Sequence, residues 1–201
     1  GIIEGFYGPI WHPAERNRLL RTLAPAGYGF YHYAPKADPA VRRAWQAPWT
    51  DTDAESLRAF AQTCRAHGVR FGVGLTPLGL SPDSPVDAWD ALARKLCQLD
   101  AVGIDDLVLA FDDVRGDVPD LAAQQAAIVD WAAARTSAGR VFVCPTYFSD
   151  DTLLDRLFGA RPARYLADLG GALDRRVGVY WTGEALCATA IDPVHSDRVT
   201  E

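Results

Sequence analysis

Asp106-Leu107-Val108-Leu109-Ala110-Phe111-Asp112-Asp113 is an apolar run closed by two adjacent carboxylates. Residues Asp106 to Phe111 read as a strand. Its nearly unbroken apolar character suits a parallel strand covered on both faces, where an antiparallel strand with one wet face would alternate. Similar runs lie on either side, at Ile2 to Phe6, Tyr28 to Ala34, Val69 to Leu75, Arg140 to Cys144 and Val177 to Trp181. Helical patterns separate them. Leu57, Phe60, Ala61 and Cys64 recur at i, i+3, i+4 and i+7, with Asp51 or Asp53 placed to cap the start and Gly68 to end it. Leu92, Leu96 and Leu99 form a second stripe closed by Gly103. Leu121, Ile128, Val129 and Ala132 form a third before Gly139, and Pro13 suits the first turn of a helix carrying Leu19, Leu20 and Leu23.

This alternation predicts an α/β fold with a parallel sheet in a single domain over residues 1–201, with no linker or low-complexity segment. A dinucleotide-binding sheet would carry G-x-G-x-x-G after its first strand. The turn here reads Gly5-Phe6-Tyr7-Gly8-Pro9, which lacks that spacing. The expected architecture is therefore a TIM-type (β/α)8 barrel with about six of its β/α units present. The last two strands would lie beyond Glu201, in a longer protein of which this chain is a piece.

The 201 residues are 49% apolar and carry a net charge of −6, so nothing draws the chain broadly toward nucleic acid or anionic membrane. Cys64, Cys97, Cys144 and Cys187 stand far apart and form no zinc-ligand spacing; no metal or other cofactor is expected. Gly1-Ile2-Ile3-Glu4-Gly5 shows no signal-peptide pattern, which tilts the expected compartment slightly to the cytoplasm. Oligomeric state is left open.

Enzymes with this fold place working residues at the carboxyl ends of the strands. Those ends read Gly5-Phe6-Tyr7-Gly8, Tyr33-Ala34-Pro35-Lys36, Thr76-Pro77, Asp112-Asp113, Pro145-Thr146-Tyr147-Phe148 and Trp181-Thr182-Gly183. Two neighbouring carboxylates at a strand end can address different atoms of one ligand, and like charges held this close favour keeping one of them protonated. The plainer alternative is that one Asp caps the next helix and the other is solvated. A magnesium-binding strand end would need G-x-x-x-x-G-K-[ST], which is missing. Lys36, one of only two lysines, suits a donor to a polar ligand. Trp45 and Trp49 read as loop packing, His67 and His195 as structural, and His12 and His32 as open.

In this order, the blocks Gly5-Phe6-Tyr7-Gly8, Tyr33-Ala34-Pro35-Lys36, Phe111-Asp112-Asp113, Pro145-Thr146 and Trp181-Thr182-Gly183 resemble those of glycoside hydrolase family 84, the O-GlcNAcases and hyaluronidase-type β-N-acetylglucosaminidases. The resemblance spans nearly the whole chain. It implies retaining hydrolysis of terminal N-acetylglucosamine from a glycan or glycoconjugate, with the substrate's own 2-acetamido oxygen as nucleophile and an oxazoline intermediate. By position it implies that Asp112 polarises the acetamide and that Asp113 is the general acid and then the base. It also implies that Gly5 and Lys36 contact sugar hydroxyls. The chain departs from the family pattern in Ala37-Asp38-Pro39-Ala40-Val41-Arg42, where only Asp38 and Arg42 match, and at Phe148, where a tyrosine is usual. Tyr147 next to it should point the other way. A catalytically inactive amino-sugar-binding relative is the alternative reading. An unrelated scaffold in which both Asp residues are caps is the third.

Overall fold

The computed structural model describes residues 1–112 and 114–190. Asp113, Asp192-Pro193 and His195 lie outside the described residues. The elements alternate as β1 (Ile2–Glu4), α1 (Pro13–Leu23), β2 (Phe30–Tyr33), α2 (Asp51–Ala66), β3 (Arg70–Leu75), α3 (Val86–Val102), β4 (Asp106–Ala110), α4 (Leu121–Ala133), β5 (Arg140–Cys144), α5 (Leu153–Phe158), α6 (Tyr165–Ala172) and β6 (Gly178–Val179). All six strands are parallel and stand in sequence order, β1-β2-β3-β4-β5-β6.

That order separates the two architectures open to such an alternation. A doubly wound sheet reverses its strand order at a switch point. Here the order never reverses, so every crossover advances round the same arc. The sheet curls into a half-barrel of six parallel strands with helices between them, the TIM-type arrangement. No helix among the described residues is long and apolar enough to cross a membrane.

Strand periodicity divides the side chains into two sets. Tyr31, Tyr33, Phe71, Val73, Leu75, Leu107, Leu109, Phe111 and Val143 face outward and form one core with the helices. The helix stripes supply the other half: Leu57, Phe60, Ala61 and Cys64 from α2, Leu92, Leu96 and Leu99 from α3, and Leu121, Ile128, Val129 and Ala132 from α4 are all buried there. The opposite set, including Ile3, His32, Gly74, Val108 and Ala110, faces the concave side. On four strands these inward side chains shrink toward the carboxyl end, from Ile3 to Gly5, His32 to Ala34, Val108 to Ala110 and Phe142 to Cys144. The bore is thus filled at one end and hollow at the other.

Several boundaries differ from expectation for local reasons. The cap of α2 is Thr50, whose Oγ1 accepts from the Asp53 N–H at 3.2 Å. Asp51 and Asp53 sit inside the first turn instead, where the helix dipole favours them. β2 starts at Phe30, because the Tyr28 N–H is still engaged with the Leu23 carbonyl at the end of α1. β6 pairs over two residues only. The helices α5 and α6 were not anticipated; they span 6 and 8 residues, too short to set a stripe, and α6 carries Gly170 and Gly171 in its last turn.

Candidate active site

The hollow end of the bore is a cavity of about 260 Å³ at the carboxyl ends of the strands. Gly5, Ala34, Lys36, Asp112, Phe148 and Trp181 are among the residues that line it. Gly5, Lys36, Asp112 and Phe148 are four of the five residues singled out from the sequence; Asp113 is the fifth.

Asp112 continues the inward parity of β4, two residues beyond Ala110. Its Oδ2 accepts a hydrogen bond from Lys36 Nζ at 2.6 Å. Its Oδ1 is buried with no hydrogen-bond partner among the described residues. A buried carboxylate oxygen left unmatched costs free energy unless a donor arrives. The site therefore offers one anionic acceptor, held from the other side by a cation.

The loops that present these groups are braced from behind. Past the ends of the strands, the Ala34 N–H donates to the Glu4 carbonyl at 3.1 Å and the Lys36 N–H to the Phe6 carbonyl at 3.3 Å, which fixes the two loops against each other. Glu4 is fully buried on the outward side and takes both Arg16 Nε (2.8 Å) and a second guanidinium nitrogen (3.0 Å), plus the Tyr31 hydroxyl at 2.6 Å. Asp38 accepts from the Tyr33 hydroxyl (2.6 Å), Trp49 Nε1 (3.0 Å) and the Ala40 N–H (2.8 Å), so it shapes the loop after Lys36 and does not face the cavity. Trp45 and Trp49 are buried in that same packing.

Pro145-Thr146 serves the site indirectly. Thr146 is fully buried, and its Oγ1 donates to the Phe111 carbonyl at 2.9 Å, one peptide before Asp112. Gln125 Nε2 donates to Thr146 Oγ1 at 2.7 Å, and the Tyr165 hydroxyl donates to Gln125 Oε1. Thr146→Val keeps the shape but leaves the Phe111 carbonyl and the Gln125 amide each short of a partner. We expect a loss of about 1–3 kcal/mol in urea unfolding. Tyr147 turns away from the cavity, its hydroxyl donating to the Gly159 carbonyl at 2.7 Å, while Phe148 turns in.

A polar cluster not anticipated as a unit lies at the cavity floor, and it includes His32, which the sequence left open. His32 is fully buried; its Nε2 lies 2.9 Å from Asp106 Oδ2 and its Nδ1 meets the Tyr180 hydroxyl. Arg70 Nε donates to Asp106 at 3.1 Å. A Cβ on Gly72 would fall 2.6 Å from His32 Cδ2 and 2.9 Å from Asp106 Cβ, so this contact requires a glycine. The available signal was parity: Asp106 stands six residues before Asp112 on the same strand line and so faces the same way.

A larger cleft, about 520 Å³, lies outside the barrel against α1 and the start of α2. Its buried charges, Arg16 and Asp38, are already hydrogen-bonded within the fold, which leaves the inward cavity as the better site. Among the described residues no group of three or more His, Cys, Asp or Glu side chains could hold a metal ion.

Six parallel strands in sequence order, with a lysine–aspartate pair in a cavity at their carboxyl ends, define a TIM-type enzyme scaffold. The chain belongs to the NAGidase (beta-N-acetylglucosaminidase) family, whose model matches residues 1–201. It is similar to the proteins described as Protein O-GlcNAcase from Mus musculus and Rattus norvegicus, 27% identical to each over 208 residues. Those alignments cover 98% of this chain and 22% of each relative, so the chain spans less than a quarter of their length. A solved structure of an O-GlcNAc hydrolase mutant from Thermobaculum terrenum has a TM-score of 0.87 at 26% identity, covering 100% of this chain and 44% of that one.

Proposed function

We propose that the protein is a retaining β-N-acetylglucosaminidase of the O-GlcNAcase type, acting on terminal N-acetylglucosamine of a glycan or glycoconjugate by substrate-assisted catalysis. The observation that carries the reading is the half-engaged carboxylate of Asp112. One oxygen is held by Lys36, and the other is buried and waiting for a donor. A 2-acetamido N–H is such a donor.

In the proposed reaction, Asp112 accepts that N–H and orients the acetamide so that its oxygen attacks the anomeric carbon. Asp113, in its acid form, protonates the departing glycosidic oxygen as the C1–O bond breaks, and an oxazoline forms. Asp113, now a carboxylate, takes a proton from water. The water oxygen bonds to the anomeric carbon and displaces the acetamide oxygen, so the configuration at that carbon is retained. Gly5, through its backbone, and Lys36 contact sugar hydroxyls, and Phe148 forms a wall.

The test is hydrolysis of a fluorogenic β-N-acetylglucosaminide beside the matching β-glucoside. The expected result is release from the first and none above background from the second. Comparable cleavage of both would overturn substrate assistance. The second reading, an inactive binder, draws on the Phe148 ring, which offers no hydroxyl to the cavity. It predicts that N-acetylglucosamine binds without turnover.

A further inference from the structure

Among the described residues, the strand that leads to Trp181 and Thr182 in the cavity wall is joined to its neighbour by a short ladder. β6 pairs with β5 through Phe142↔Gly178 and Val143↔Val179 alone, and Val179 is 46% exposed. Beyond the pairing, the Tyr180 N–H donates to the Val143 carbonyl at 2.8 Å and the Thr182 N–H to the Phe148 carbonyl at 2.9 Å. The Thr182 hydroxyl also donates to the Phe148 carbonyl at 3.3 Å and the Asp150 N–H to the Gly183 carbonyl at 3.1 Å, so β5 and its loop hold one side of this segment.

Tyr180 holds the segment from the other side, inside the bore. Its ring stacks on Phe142 at 5.6 Å, and its hydroxyl reaches across to His32 on β2. Charge fixes the Asp106 side of this contact. Arg70 donates to both oxygens of Asp106. Burial would raise the Asp106 pKa, but hydrogen bonds from His32 and Arg70 outweigh it and hold the carboxyl below its usual range. An ionised Asp106 only accepts, so His32 Nε2 carries the proton toward it. With Nε2 engaged there, Nδ1 is left to face the Tyr180 hydroxyl. Burial, with the Asp106 charge added, pushes the Tyr180 phenol up, which keeps it a donor.

We propose that His32 and Tyr180 form a latch between β2 and β6 that positions Trp181 and Thr182, and so sets the shape of the sugar cavity. Both residues line the cavity floor, and both act by placing the wall. The link to sugar binding rests on the function proposed above. The latch itself does not.

Tyr180→Phe removes one oxygen and leaves the stacked ring, so it is the mild test; His32→Leu is the stronger one. Hydrogen exchange is followed at the backbone amides of position 180 and Thr182, with the β3 and β4 amides as internal reference, and N-acetylglucosamine is the binding probe. Tyr180→Phe is expected to speed exchange at those two amides about tenfold, with the reference amides unchanged, and to weaken N-acetylglucosamine several-fold. Because both substitutions break the same His32–Tyr180 bond, and only His32→Leu also removes the contact with Asp106, the double variant should match His32→Leu alone at these amides. Exchange that stays the same, that rises evenly across the sheet, or that adds in the double variant would overturn the latch. A parent protein that binds no N-acetylglucosamine would count against the proposed function, while the exchange pattern would still decide for or against the latch.

Discussion

Asp112→Asn is expected to cut hydrolysis of a β-N-acetylglucosaminide by about 10²–10⁴-fold while leaving the fold in place. The substitution keeps the side chain's size but changes what it offers. Asp112 presents two acceptors, one to Lys36 and one buried without a partner among the described residues. An amide has one acceptor and one donor group. If its oxygen stays with Lys36, its NH₂ faces the acetamide N–H, donor against donor. If it turns round, the NH₂ faces the lysine. Either way the charge that would stabilise a polarised acetamide is gone. The loss should fall on kcat, since the acetamide must be aligned for attack only as the reaction proceeds. Measuring kcat and KM beside a thermal melt checks this, and a variant keeping more than about a tenth of the rate would remove Asp112 from its proposed role.

Glu4→Ala is expected to cost about 3–5 kcal/mol, seen as a lower urea midpoint at unchanged slope. Glu4 and Arg16 are both buried and joined by two hydrogen bonds. Removing the carboxylate leaves the guanidinium enclosed, with the Tyr33 ring at 4.7 Å as its nearest compensation. The Tyr31 hydroxyl loses its acceptor at the same time. A domain of this size has about 5–15 kcal/mol in all, so the loss is a large share. Because Glu4 directly precedes Gly5, the damage should spread to the cavity rim. A loss under about 1 kcal/mol would mean that Arg16 finds water or another partner when Glu4 is gone.

The difference between these two residues shows what the sequence made legible. Asp112 and Lys36 stood out because each follows an apolar run, and the fold places strand ends round one mouth. Glu4 also ends a strand, yet it points outward. Nothing near it in sequence names Arg16, twelve residues on, as its partner. The His32–Asp106 contact joins residues 74 positions apart, and His32–Tyr180 joins residues 148 apart. Such pairs exist only once the sheet has curled, so no local pattern encodes them. Thr146 marks an intermediate case. Its place at a strand end suggested the cavity, but the structure gives its hydroxyl to the Phe111 carbonyl, where it braces Asp112 from outside.

The narrowing of the inward side chains toward the carboxyl end has a consequence for how this site can change. Its volume comes from atoms left out: Gly5, Ala34, Gly74 and Ala110 supply space and little else. A Cβ at Gly74 would already stand 2.6 Å from that of Ala34. Side chains that filled the hollow without such collisions would bury more apolar surface and make the molecule sturdier, at the cost of room for a ligand. Selection for durability alone would therefore close the bore. Conversely, the depth offered to a guest can be retuned by single methyl groups on neighbouring strands, with the carboxylate and the lysine left where they are.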